Sequence, residues 1–349
     1  MTPMPNDKIL DLESNGVIVC LSRKVGFFAL FFQVLGHIYR AEQEGRVPLV
    51  FFGSNCLYWS DGGHNGFQDN AWEYYFEPVS DLTMEDVFQE PLERLKNASI
   101  YEYSRADITH NPPEQYTGNL KGSIVVPDNV NVTNCWAEFD SGQQEIHEDR
   151  RAIFYDLISR YIHLRPAIAS KINNFYQRHF AGSFVIGVHM RGTERSQEVT
   201  GWYGMPHLDE NVYMREVDRI LKQFPDAKIF LATDTKTTVE KFRSRYQDSL
   251  LTYNAQRADE GNSPHLQFGG AELGEQVLIE AILLSKTSFL IHGISNVAFA
   301  ALCFSPTLAH LNVYLKYGKS GEIQLRLKQK VQSITEKIKR RLNSLTKRS

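Results

Sequence analysis

Ser183-Phe-Val-Ile-Gly-Val-His-Met-Arg-Gly-Thr-Glu-Arg195 decides the fold. Its first eight residues are an apolar run of strand length, and a charged loop follows at once. A continuous apolar run suits a strand covered on both faces, as in a parallel sheet. Working outward, the same grammar repeats. A helix is expected over 209–224, opened by Asp209, then a strand over 227–233 and a helix over 237–246. A short strand over 250–253, a helix over 272–285, a strand over 288–292, a helix over 296–304 and a strand over 309–315 complete the pattern. Strands alternating with helices predict a parallel sheet with helices on both faces.

Toward the N-terminus, Gly16-Val-Ile-Val-Cys-Leu21 and Val47-Pro-Leu-Val-Phe-Phe52 read as buried strands around a helix over 26–44, with Gly45 at its end. This is a second βαβ unit. Residues 53–78 are rich in Gly, Asn, Asp and aromatics and predict a long ordered loop with a helix start. Ser123–Pro127 is a candidate strand. Residues 144–178 carry helical spacing that Pro166 either breaks or opens. The expected division is an N-terminal α/β domain over 1–178, a Rossmann-like domain over 179–316 and a basic amphipathic helix over 317–349.

At 349 residues, with 42% hydrophobic and 23% charged, the chain suits two globular domains. A net charge of −3 gives no footprint for nucleic acid. The tail is the exception: ten basic residues from Lys319 to Arg348 face only Glu322 and Glu336, a net of +8. Its apolar positions, from Leu327 to Leu345, form one helical stripe. Packing on the first domain is the favoured reading of this tail, with dimerisation or peripheral membrane contact as alternatives. Cys20, Cys56, Cys135 and Cys303 stand apart with no metal-like spacing, as expected of buried thiols in a reducing compartment. The run Val25–Leu35 is too short to span a bilayer, and no secretion signal is visible, so a cytoplasmic location is expected.

In open parallel sheets ligands bind beyond the carboxyl ends of the strands. His189 and Arg191 stand at the first such end, and a guanidinium suits a diphosphate as well as a structural ion pair. Asp234 stands at the second, able to receive ribose hydroxyls or to cap the next helix. Glu280 lies in a strongly apolar helix, where a carboxylate needs a partner. Guanine, with N1–H and an amino group, is one such partner and a nearby Arg is the other. Ser295 and Asn296 open a helix directly after a strand, which is both a plain cap and a phosphate seat. Together these residues outline a nucleoside-diphosphate site. No P-loop and no GxGxxG are present.

The order His189-x-Arg191-x-Thr193-Glu194-Arg195, then Ala232-Thr233-Asp234, then Glu280-x8-Phe289-Leu290-x4-Ser295 resembles the α-1,6-fucosyltransferases, the rhizobial nodulation fucosyltransferase and the protein O-fucosyltransferases. The resemblance covers about 183–304 well and 16–78 more loosely. It implies a GT-B-like fold, two Rossmann-like domains facing a cleft, and inverting, metal-independent transfer from GDP-fucose to a glycan or glycoprotein hydroxyl. It implies Arg191 on the β-phosphate, His189 and Glu280 near guanine, Asp234 near the ribose, and Ser295 and Asn296 on the phosphates. Glu194 and Glu198 are candidate bases. The family's Arg-Arg is Arg191-Gly192 here, and its Thr-Asp-Asp is Thr233-Asp234-Thr235. These departures bear on linkage and sugar more than on the guanine nucleotide. They leave a non-catalytic GDP-sugar- or carbohydrate-binding protein, or a transferase for another nucleotide sugar, as alternatives.

Overall fold

The computed structural model describes residues 16–22, 24–83, 124–125, 146–192, 208–259 and 264–317. The basic tail and Cys135 lie outside them. Two parallel sheets organise the described chain.

The first sheet holds β1 (Val17–Leu21), β2 (Val47–Phe51) and β3 (Ile124–Val125) in the order β2-β1-β3. Val17 pairs with Val47 and Leu21 with Phe51, in parallel. Pro48 has no N–H to give a ladder, and it is tolerated because β2 is an edge of the described sheet. Between β1 and β2 runs α1 (Phe27–Glu44), whose Phe28, Phe31, Val34, Leu35 and Ile38 are buried. Its end is set by Gly45 at φ 65°, where the N–H returns to Ala41 and Glu42 carbonyls.

The second sheet has five parallel strands in the order β6-β5-β4-β7-β8. They are β4 (Val185–Met190), β5 (Lys228–Thr233), β6 (Leu250–Leu251), β7 (Phe289–His292) and β8 (His310–Asn312). Between them lie α4 (Glu210–Leu221), α5 (Lys236–Tyr246), α7 (Gly270–Ser285) and α8 (Asn296–Phe304), with the short α6 (Pro264–Gln267) before α7. All six residues of β4 are buried, as its apolar run requires of a central strand. Before this sheet come α2 (Glu148–Tyr161) and α3 (Pro166–His179). Pro166 opens α3 at its first turn, where a missing N–H costs nothing.

Three expectations change. Residues 53–78 form turns without a helix, and Gly63, Asn65 and Gly66 take positive φ. The expected strand over 309–315 ends at Asn312, whose side chain accepts from the Tyr314 N–H and turns the backbone. The strand over 250–253 is two residues long.

Trp72, Tyr74 and Tyr75, from the aromatic stretch, are core residues. Trp72 lies 4.3 Å from Phe76, and the Tyr75 hydroxyl donates to the Ala271 carbonyl at 2.9 Å. Asn70 ties this aromatic turn to β2. Its Oδ1 accepts from the Phe52 and Trp72 N–H groups, and its Nδ2 donates to the Val50 carbonyl. Alanine at 70 strands three buried backbone groups. Chemical denaturation of Asn70→Ala is expected to show a loss of about 2–4 kcal/mol. A loss under about 0.5 kcal/mol, the size of an ordinary surface change, contradicts this account of the turn.

Candidate functional site

One cavity of about 350 Å³ lies at the carboxyl ends of β4, β5 and β7 and reaches the start of α1. It gathers six of the eight residues named from the sequence: His189, Arg191, Asp234, Glu280, Ser295 and Asn296. The other two, Glu194 and Glu198, fall in 193–207, outside the described residues.

The positive side of the cavity is built from two helix starts and one guanidinium. Ser295 caps α8, its Oγ accepting from the Val297 N–H at 3.3 Å. The N-cap residue of α1 is Gly26, which has no side chain to cap it, and Gly26–Ala29 line the same cavity. Arg191, the residue directly after β4, lines the same cavity. Two macrodipole positive ends and an always-charged side chain make a field suited to a diphosphate.

Tyr58 is a residue the sequence reading missed. It arrives from the turn after β2, is buried, and accepts the Phe27 N–H on its hydroxyl at 2.7 Å. Burial pushes its pKa up, so the phenol stays protonated and remains a donor. Nothing in its local sequence distinguishes Tyr58 from its core neighbours Tyr74 and Tyr75.

His189 stands near the end of β4. Its Nε2 lies 2.9 Å from the Ser295 Oγ, tying the end of β4 to the cap of α8. Which of the two donates depends on the imidazole tautomer.

Glu280 does have the Arg partner weighed as the alternative to guanine. Arg257 Nη2 lies 2.8 Å from Oε1 of Glu280, and the same guanidinium holds the Tyr253 and Ala255 carbonyls. Glu280 nevertheless lines the cavity. Burial pushes its carboxyl up to about 7, against the pull of Arg257 and with a further push from Asp234. The strap between β6 and α6 is held a second time, where the Gln256 N–H donates to Gln276 Oε1 at 2.7 Å. Two polar atoms of cavity-lining residues, Thr233 Oγ1 and Gln256 Oε1, are buried with no hydrogen-bond partner among the described residues. Such atoms are rare, and here they border the cavity.

Asp234 does not cap α5, since Thr235 occupies that position. Its Oδ1 accepts the Gly192 N–H at 2.5 Å, and its Oδ2 lies 3.8 Å from Arg191 Nε.

The wall from the N-terminal half is fixed to α7 beside the cavity. Buried Glu275 receives His64 Nε2 at 2.7 Å and Asn65 Nδ2 at 3.1 Å, and it is also bonded by Lys171. The first amides of α7 are capped from the same loop. The Gly270 N–H donates to the Leu57 carbonyl and the Ala271 N–H to Ser60 Oγ. Tyr58 and Glu280, on opposite sides of these ties, therefore keep a set spacing.

No helix of the described residues is long and apolar enough to cross a membrane.

Residues 145–313 match the family model described as nodulation protein Z. Nodulation protein Z of Bradyrhizobium diazoefficiens is 26% identical over 327 residues, covering 86% of this chain and 82% of that protein. The Sinorhizobium fredii counterpart is 28% identical over 124 residues, 34% of this chain and 38% of that one. Among solved structures, the NodZ α-1,6-fucosyltransferase soaked with GDP-fucose is similar at 18% identity and a TM-score of 0.48, covering 83% of this chain and 92% of that one. The apo form of POFUT1 is similar at 12% identity and a TM-score of 0.48, covering 85% and 97%. By the family match and the long Bradyrhizobium alignment this chain is similar to nodulation protein Z, in keeping with the resemblance of its motifs to the α-1,6- and protein O-fucosyltransferases.

Proposed function

We propose that this protein is a glycosyltransferase that takes a GDP-sugar, GDP-fucose, and transfers the sugar to a hydroxyl of a glycan or glycoprotein. One observation carries the reading: Arg191, two helix starts and buried Glu280 meet in a single cavity at the strand ends. The positive end suits a diphosphate. The carboxylate at the other end suits the two adjacent donors of guanine, N1–H and the amino group. Arg257 occupies one oxygen of Glu280 and leaves the residue lining the cavity.

In the inverting reaction, the acceptor oxygen forms a bond to the sugar C1 as the bond from C1 to the β-phosphate oxygen breaks. GDP leaves with the electron pair. Arg191 and the α1 and α8 amides, with the Tyr58 hydroxyl, stabilise the charge that develops on it. No metal is assigned to this step. The acceptor proton passes to a carboxylate, for which Glu194 and Glu198 stay the candidates. The domain limits of 1–178 and 179–316 are part of the same proposal, with the acceptor on the N-terminal side.

The departures at Gly192 and Thr235 also suit a non-catalytic binder. Release of GDP from GDP-fucose, measured against a panel of glycans and glycoproteins, separates the two. Acceptor-dependent release that disappears in Arg191→Ala supports the transferase. GDP-fucose binding with no release on any acceptor supports the binder.

A further inference from the structure

Asp234, expected beside the ribose, lines the cavity, yet each of its oxygens also has a protein neighbour. Oδ1 takes the Gly192 N–H at 2.5 Å, and Oδ2 lies 3.8 Å from the Nε of Arg191. The surroundings hold it there. The Asp234 carbonyl accepts the Ala258 N–H at 2.9 Å, and the Lys236 N–H donates to the Ala258 carbonyl at 3.1 Å. Thr235 is locked as well, its hydroxyl donating to Thr238 Oγ1 at 2.8 Å, with Thr238 in turn on Glu210. With the hydroxyl turned into α5, the Thr235 methyl lies against Gly192. A Cβ added at Gly192 would stand 2.1 Å from that methyl and 2.9 Å from Asp234 Oδ1. Backbone conformation does not demand glycine at 192, since its φ is not among the positive ones. Space does. The two departures from the family motifs, Gly192 and Thr235, are therefore in contact, and together they let the Asp234 carboxylate close on the turn that carries Arg191.

We infer that Asp234 is a positioning residue that acts through Arg191, with Gly192 and Thr235 as the packing that makes its approach possible, and that it does not bind the ribose. The carboxylate fixes the backbone one residue beyond Arg191 and draws on the Nε edge of the guanidinium. A guanidinium held at its base loses less freedom when it meets a diphosphate. This inference rests on the proposal that the cavity takes GDP.

The test is a double-mutant cycle on GDP affinity with wild type, Asp234→Asn, Arg191→Ala and the double variant, repeated with 2′-deoxy-GDP and 3′-deoxy-GDP. Asn keeps the shape and an acceptor for the Gly192 N–H while losing the charge. If Asp234 acts through Arg191, Asp234→Asn weakens GDP about tenfold in wild type and less than about twofold once Arg191 is gone. Both deoxy analogues then lose the same factor as GDP in Asp234→Asn. An equal cost in both backgrounds overturns the inference. So does an Asp234→Asn variant that no longer distinguishes GDP from a deoxy analogue that wild type rejects. Gly192→Ala gives a second view, with a loss of GDP affinity matching Asp234→Asn expected if it folds. A wild type that binds no guanine nucleotide removes the donor proposal itself. A wild type that binds GDP normally with an additive cycle removes this inference alone.

Discussion

Arg191→Ala lowers kcat with GDP-fucose by about 10²–10³-fold and weakens GDP. The expectation follows from how the charge of the leaving diphosphate is met. With no metal assigned to the step, the countercharge comes from one guanidinium and the starts of α1 and α8. Helix-terminal amides carry about half a charge at each end, so Arg191 is the largest single term. Its removal should act more on kcat than on the affinity of guanosine, which the phosphate side does not touch. Steady-state kinetics together with titrations of GDP and guanosine read the split. Arg191→Lys should recover only part of the loss, since an ammonium lacks the planar fork that meets two phosphate oxygens. Full activity in Arg191→Ala would remove Arg191 from the mechanism.

GDP affinity should rise with pH up to about 7 and then level off. The carboxyl of Glu280 is pushed up to about 7 by its burial. Guanine offers two N–H donors, which only the ionised carboxylate accepts as a pair. Below pH 7 the free protein holds a proton on Glu280 that binding must release. Each unit of acidification then weakens GDP about tenfold. Above pH 7 the carboxylate is ionised beforehand and this group adds no further slope. The two charged groups around it act in opposite directions: Arg257 favours the ionised form and Asp234 opposes it, and burial outweighs both. In Glu280→Gln the carboxyl's part of the slope should vanish, leaving that of the GDP terminal phosphate, which ionises at about pH 6, and GDP should bind more weakly above pH 7. One donor of guanine then meets an amide N–H, and Arg257 is left without its carboxylate. Calorimetric titration of both proteins between pH 5.5 and about 8.5 checks this. A flat wild-type profile across that range contradicts the role given to Glu280.

Most of the C-terminal sheet was legible because its strands are buried on both faces and read as unbroken apolar runs, β4 being the clearest. Their carboxyl ends then locate the cavity, and the residues standing there were named for simple reasons of charge and position. Asn296 to Phe304 matched its expected bounds because Ser295 is a capping residue directly after a strand. What was not legible depends on side chains that meet across long separations. Arg257 finds Glu280 from 23 positions away, and Gly192 finds Asp234 from 42 away. Neither distance leaves a local pattern. Tyr58 was hidden among aromatic residues whose burial looks the same in sequence. Over 53–78 the expected helix start gives way to turns, with positive φ at Gly63, Asn65 and Gly66 interrupting the first part of the stretch. The two motif departures, which looked like separate losses, became one feature once Gly192 and Thr235 were found in contact.

The cavity lined by Arg191 and Glu280 is proposed to hold a guanosine diphosphate. Thermal unfolding of wild type and Arg191→Ala with GDP, GDP-fucose, UDP and ADP tests it most directly, because a ligand of the native state raises the midpoint by mass action. The account predicts that GDP and GDP-fucose raise the wild-type midpoint, that UDP and ADP leave it in place, and that Arg191→Ala loses the shift. No shift with any guanine nucleotide at millimolar concentration, or equal shifts with all four nucleotides, would contradict it.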